Sequence, residues 1–126
     1  RGITNYVRVD ICNVGGFTES MTIAVGVEAH YIDRMPHHPL GPLCTAASVH
    51  LAAAVPHFAW LEVNLSRAED PDLSVFTEQV EFNGTGYVVN DRPGLGVEVD
   101  ESKLSEPFRF WEAPHPHRGD GSHTNW

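Results

Sequence analysis

Basic residues are scarce in this chain. Eight Lys and Arg stand against 17 Asp and Glu, for a formal net charge of −9. Such a chain repels phosphate backbones and anionic membrane surfaces, and no Lys/Arg stripe offsets the repulsion, so nucleic-acid and membrane-surface binding are set aside. Long apolar runs are missing as well. No stretch approaches the roughly 20 residues of a membrane span, and the first residues carry no signal-peptide pattern. Cysteine is limited to Cys12 and Cys44, too few for a disulfide framework and outside any CxxC or Cys/His zinc spacing. They read as two buried thiols in a reducing cytosol. Gly94-Leu95-Gly96 lacks the third glycine or the following Lys-Ser/Thr of a phosphate loop, which leaves turn chemistry.

What is present is rhythm. Residues 6–11, YVRVDI, have the β-branched and aromatic character of a strand, and NVGG breaks it. Thr18 is placed as an N-cap. Phe17, Met21, Ala24, Val25 and Ala29 recur at three- and four-residue steps, predicting an amphipathic helix to about His30. YIDRMPH follows as a short strand, and Gly41-Pro42 opens a second helix, with Pro42 in the first turn and Pro56 as its stop. FAWLEV, residues 58–63, is a third strand. Strand, helix, strand, helix, strand at this spacing is the βα repeat, which implies parallel strands with helices over one face. The other face then needs cover, such as the rest of a barrel. Together with Arg1 starting inside a strand-like pattern, this reads as a piece of a longer protein.

Three polar residues close the three strands: Asp10, His37 and Glu62, 27 and 25 positions apart. Tyr6, Arg8 and Asp10 share one side of the first strand, and Val7, Val9 and Ile11 share the other. In a (β/α) barrel the apolar side packs under the helices, and polar residues gather at the C-terminal rim where such barrels keep their chemistry. After about Asp70 the rhythm changes. EFNGTGYVVNDRPGLGVEVD suggests short antiparallel strands around Gly-rich turns, DESKL one helical turn, and the Pro-, His- and Gly-rich end an irregular path. Glu69-Asp70-Pro71-Asp72 reads as a solvated loop. The division expected is residues 1–69 as three βα units and 70–126 as a tail.

VDICNVGGFTE, PHHPLGPLCTAASVHLA, FAWLE, RPGLGVEVDE and RGDGSHTNW, in that order, resemble the C-terminal part of enolase-superfamily enzymes. Within that superfamily they are most similar to the acid-sugar dehydratases of the mandelate racemase/muconate lactonizing group, galactonate dehydratase among them. The resemblance implies an α/β fold, the C-terminal portion of a modified TIM-type (β/α)7β barrel, contributing its sixth, seventh and eighth strands and a closing tail. It implies His37 as the catalytic base, Asp10 as the carboxylate paired with it, and Glu62 as the group that hydrogen-bonds the substrate carboxylate and its enolate. His38 matches a variable position and receives no role. Mg²⁺ is implied as cofactor, with ligands on earlier strands outside this chain, so no metal ligand is assigned here. The implied reaction is dehydration of an aldonate such as galactonate to a 2-keto-3-deoxy acid, with racemisation and cycloisomerisation as alternatives that start from the same proton abstraction. A small-molecule sugar acid is the expected partner, with homo-oligomeric assembly of the full-length parent, cytoplasmic location, and no turnover by this chain alone.

Those roles make chemical sense. A proton next to a carboxylate is weakly acidic, and histidine supplies a base near neutral pH. A carboxylate on its far nitrogen fixes the tautomer and stabilises the imidazolium. A carboxylic acid kept protonated could donate to the enolate oxygen. Enolase-superfamily sites are the standard illustration of a Lys or His base working with Mg²⁺. Rival readings are weaker. His115, His117 and His123 could chelate a metal but fit no structural spacing, Arg118-Gly119-Asp120 is too short to define an adhesion ligand, and the sequons at Asn64 and Asn83 matter only in a secreted protein.

Overall fold

The computed structural model describes residues 2–38, 41–63, 71–104 and 117–122. In chain order it contains β1 (Tyr6–Val7), α1 (Gly16–Glu28), β2 (Asp33–Arg34), α2 (Pro42–Ala54), β3 (Phe76–Glu78) and β4 (Glu98–Val99). Short 3-10 turns cover Pro71–Val75 and Glu101–Lys103, the second falling on the expected DESKL turn.

β1 and β2 pair in parallel, as βα connectivity requires. Their backbone bonds continue past the regular strands: Asp33 N–H donates to Asn5 O at 3.0 Å, Met35 N–H to Val7 O at 3.0 Å and His37 N–H to Val9 O at 3.3 Å. On the other flank of β2, Arg34 N–H donates to His57 O and Ala59 N–H to Arg34 O, each at 2.8 Å, and Arg34 forms a parallel bridge with Phe58. The three strands of the sequence reading are therefore present, with β2 in the middle. The regular portions are shorter than YVRVDI and FAWLEV suggested, and Pro36 supplies one reason. It has no N–H to give to the third strand, so the ladder loses a bond there. The next bond is Glu62 N–H to Pro36 O at 3.3 Å, three residues after Ala59 where regular pairing advances two. That extra residue is a bulge, a device that re-aims side chains near active sites.

Both helices form, with two corrections. α1 buries Ser20 and Ala24, while Phe17 and Val25 of the expected apolar stripe are exposed. Thr18 is not the N-cap. Gly15 is, with φ of 109° and no side-chain cap bond, and Gly16 follows at 83°. The turn from Asp10 closes onto its own carbonyls, with Val14 N–H to Asp10 O at 3.0 Å and Gly16 N–H to Ile11 O at 3.0 Å. Two glycines at positive φ let α1 begin before Thr18 is reached. α1 ends in a Schellman arrangement: Ile32 N–H bonds Val27 O at 3.1 Å, and Tyr31 N–H bonds Glu28 O at 2.9 Å. The left-handed position belongs to Tyr31, φ 56°, where glycine is usual. α2 starts at Pro42, whose missing N–H costs nothing there. Val55, forced to an extended conformation ahead of Pro56, ends it.

Small residues let α2 sit deep. Ala46, Ala47 and Ser48 are buried with Cys44, Val49 and Leu51. One core cluster joins Ile11, Cys44, Ala47 and Leu51, and a second joins Ala46, Val49 and Val80, with Leu95 packing against both. The segment after residue 75 contributes antiparallel pairing, β3 with β4 and Phe82 with Tyr87, as its alternating pattern predicts. Gly94 and Gly96 take positive φ in a tight turn, and a Cβ on Gly96 would sit 2.6 Å from Asn90 Oδ1. His50 Nε2 reaches Leu95 O at 3.3 Å and ties that turn to α2. No helix among the described residues is long and apolar enough to cross a membrane.

Candidate active site

Asp10, His37 and Glu62 come together at the C-terminal ends of the three strands. His37 Nδ1 lies 3.2 Å from Asp10 Oδ2, and His37 Nε2 lies 3.6 Å from Glu62 Oε2. The imidazole is thus flanked by two carboxylates while 28 % of its side chain stays open to solvent. Asp10 is nearly closed off, and the turn into α1 holds it. Cys12 N–H donates to Oδ1 at 2.8 Å and Asn13 Nδ2 donates to Oδ2 at 2.9 Å. A carboxylate so satisfied accepts from His37, which puts the proton on Nδ1 and leaves the Nε2 lone pair free.

Glu62 is paired with Arg8. Burial raises its pKa, but the hydrogen bond from Arg8 Nη2, the His38 N–H at 3.4 Å and the positive charge of Arg8 outweigh burial and lower it overall, which favours its carboxylate form. Arg8 is the residue the sequence reading missed. Its position, two before Asp10 on the same side of the strand, was the available signal.

His38 turns away from His37 and is buried, with Nε2 against Thr45 Oγ1 of α2 at 2.5 Å. Burial lowers its pKa, offsetting the pull of Asp10 and Glu62. His57 sits near Glu28, its Nδ1 4.0 Å from Oε2. Cys12 corrects a further expectation: it is exposed, and only Cys44 is buried. Of the rival metal cluster, His115 and His123 lie outside the described residues, as do residues 64–70 with the first sequon. Arg118-Gly119-Asp120 forms a tight turn in which Asp120 Oδ1 accepts from Ser122 N–H at 2.9 Å.

Parallel strands under helices, with an imidazole and carboxylates gathered at the strands' C-terminal ends, define a portion of a (β/α) barrel. Residues 1–103 match the family model described as Enolase C-terminal domain-like, and the chain belongs to that family. It is 30 % identical over 128 residues to a D-galactonate dehydratase from Cronobacter sakazakii, covering 95 % of this chain and 34 % of the relative. A D-galactonate dehydratase family member from Streptomyces bingchenggensis is 32 % identical, covering 98 % and 30 %. Among solved structures, an enolase from Agrobacterium radiobacter with bound Na and L-malate superposes with a TM-score of 0.74 at 34 % identity, over 94 % of this chain and 34 % of that one. An enolase from Pantoea ananatis with bound D-gluconate and Mg gives 0.68 at 29 % identity, over 78 % and 24 %. The chain spans about a third of the length of the curated relatives it matches.

Proposed function

We propose that this chain is the base-bearing part of a sugar-acid dehydratase acting on an aldonate of the galactonate type. The observation that carries the reading is His37 held between Asp10 on Nδ1 and Glu62 beside Nε2, with its side chain partly open to solvent. The dehydratase relatives, and the D-gluconate held by the Pantoea enolase, support the substrate class.

The implied Mg²⁺ finds no fit among the described residues. The one three-ligand group they hold combines a carboxylate with two cysteine sulfurs, whereas Mg²⁺ takes oxygen ligands in octahedral array. The chain's own residues act as follows. His37 Nε2 removes the proton from C2, and the positive charge the ring acquires is matched by a carboxylate on each side. Asp10 keeps the proton on Nδ1, so Nε2 is always the basic nitrogen. Arg8 faces the same mouth as Glu62 and has N–H groups to spare, suiting it to take the substrate carboxylate. Glu62 reaches the enolate by way of that pair, or as an acid once a bound anion competes for Arg8. The C3 hydroxyl then takes a proton from a general acid, which the resemblance implies on an earlier strand outside this chain, and leaves as water; tautomerisation of the resulting enol gives the 2-keto-3-deoxy acid.

The test is turnover of aldonates by the full-length protein, followed by proton NMR in deuterated water. His37→Asn is expected to lower kcat by about 10²- to 10⁴-fold and to abolish deuterium exchange at C2 in a chain with unchanged circular dichroism. Dehydration that survives His37→Asn would refute the assignment of the base.

A further inference from the structure

The turn after β1 and the first turn of α2 bring together three donor atoms that sequence spacing gives no reason to associate. A carboxylate oxygen of Asp10, Sγ of Cys12 and Sγ of Cys44 all lie within 4.8 Å of one another, although the two cysteines are 32 residues apart. We propose that Asp10, Cys12 and Cys44 form a binding site for a thiophilic divalent cation of the Zn²⁺ class.

The donor chemistry selects that class. Two thiolates and one carboxylate suit Zn²⁺ or Cd²⁺ and disfavour hard cations. Sulfurs on a tetrahedral ion with 2.3 Å bonds sit roughly 3.8 Å apart, so no pair of these atoms has more than about an ångström to close. The site is braced around them. Cys12 N–H and Asn13 Nδ2 fix the Asp10 carboxylate at 2.8 and 2.9 Å, as outer partners orient metal ligands elsewhere. Ser48, one turn after Cys44 on α2, is fully buried, and its hydroxyl faces the Cys44 sulfur, where a hydrogen bond favours the thiolate. Cys12 is exposed and gives the ion its way in.

Binding exchanges protons and moves no electrons. Each thiol loses its proton and gives a sulfur lone pair to the cation, so two protons leave for each ion bound. Both sulfurs bind as thiolates, so uptake strengthens with rising pH. If the catalytic reading above holds, the ion also draws Asp10 away from His37 and acts as a brake on proton abstraction.

The experiment is a titration of the reduced full chain with Cd²⁺ alone, following thiolate-to-cadmium charge transfer in the ultraviolet and proton release into weak buffer. Saturation at one equivalent with two protons released is expected. Cys44→Ala is expected to halve the band and weaken uptake at least tenfold, and Asp10→Asn to keep the band while weakening uptake by about tenfold. Should Cys44→Ala fail to fold by circular dichroism, Cys12→Ser, at an exposed position, carries the same test. A band and affinity unchanged by either cysteine substitution, or a single proton released, overturns the proposal. These readouts need no turnover, so they stand or fall apart from the dehydratase reading.

Discussion

The two halves of this molecule are held together by different means. From residue 5 to residue 63 the chain is fastened by parallel backbone bonds between segments far apart in sequence, and by a helix buried on its small-residue face. From residue 76 to residue 104 it is fastened mainly by turns, by two short antiparallel pairings and by surface ion pairs such as Arg92–Glu78. All three candidate catalytic residues lie in the first half. The second half meets it through Val80, Leu95, Tyr87 and Val97 against α2. The candidate residues sit where backbone geometry is fixed by long-range pairing, and the second half packs against the helix behind them.

Substitutions can sharpen or break that contrast. The largest effect is expected at Leu51, which is 1 % exposed in the first-half core. Leu51→Ala should cost about 3 kcal/mol in urea unfolding, whereas Arg92→Ala, at an exposed ion pair, should leave the midpoint where it is. Equal effects at both positions would erase the distinction. A smaller change of opposite sign is expected at the α1 terminus. Tyr31 is 98 % exposed and holds a left-handed conformation, so Tyr31→Gly should stabilise by about 0.5–1 kcal/mol once glycine's own entropy cost is deducted. A loss of stability would mean that the ring matters where no packing is seen.

The finest test uses pH. Burial lowers the His38 pKa below its ordinary value. The unfolded chain then binds the proton more readily than the folded one, so the contribution is whole above about pH 6.5 and is lost as pH falls below it. The urea midpoint should decline on acidification through that window, and His38→Leu should flatten the decline. An unchanged slope in His38→Leu would place the acid sensitivity elsewhere.

Much of this was readable from residues alone, and the exceptions have physical causes. Alternation in YVRVDI put Arg8 and Asp10 on one side, and the βα spacing carried Asp10, His37 and Glu62 to one rim. Thr18 looked like a cap because local preference ranks it highly, yet the turn closing on Asp10 used Gly15 and Gly16 first. The pairing of Glu62 with Arg8 was not legible, because a lone sequence position does not reveal its partner and Arg8 lies 54 residues away. The convergence of Cys12 with Cys44 is a product of tertiary packing that no spacing rule encodes. The bulge between Ala59 and Glu62 was not legible either, because it depends on how that strand pairs with Arg34 and Pro36.

Pairing on both sides of β2 leaves the outer rail of β1 and the outer rail of residues 57–62 without a strand partner among the described residues. Each rail offers main-chain donors and acceptors at a fixed parallel register, the same invitation that makes bare sheet margins prone to clumping. A separately made polypeptide bearing the complementary strands would be recruited by those rails and sorted by register, so such a barrel is suited to reassembly from two pieces mixed in solution.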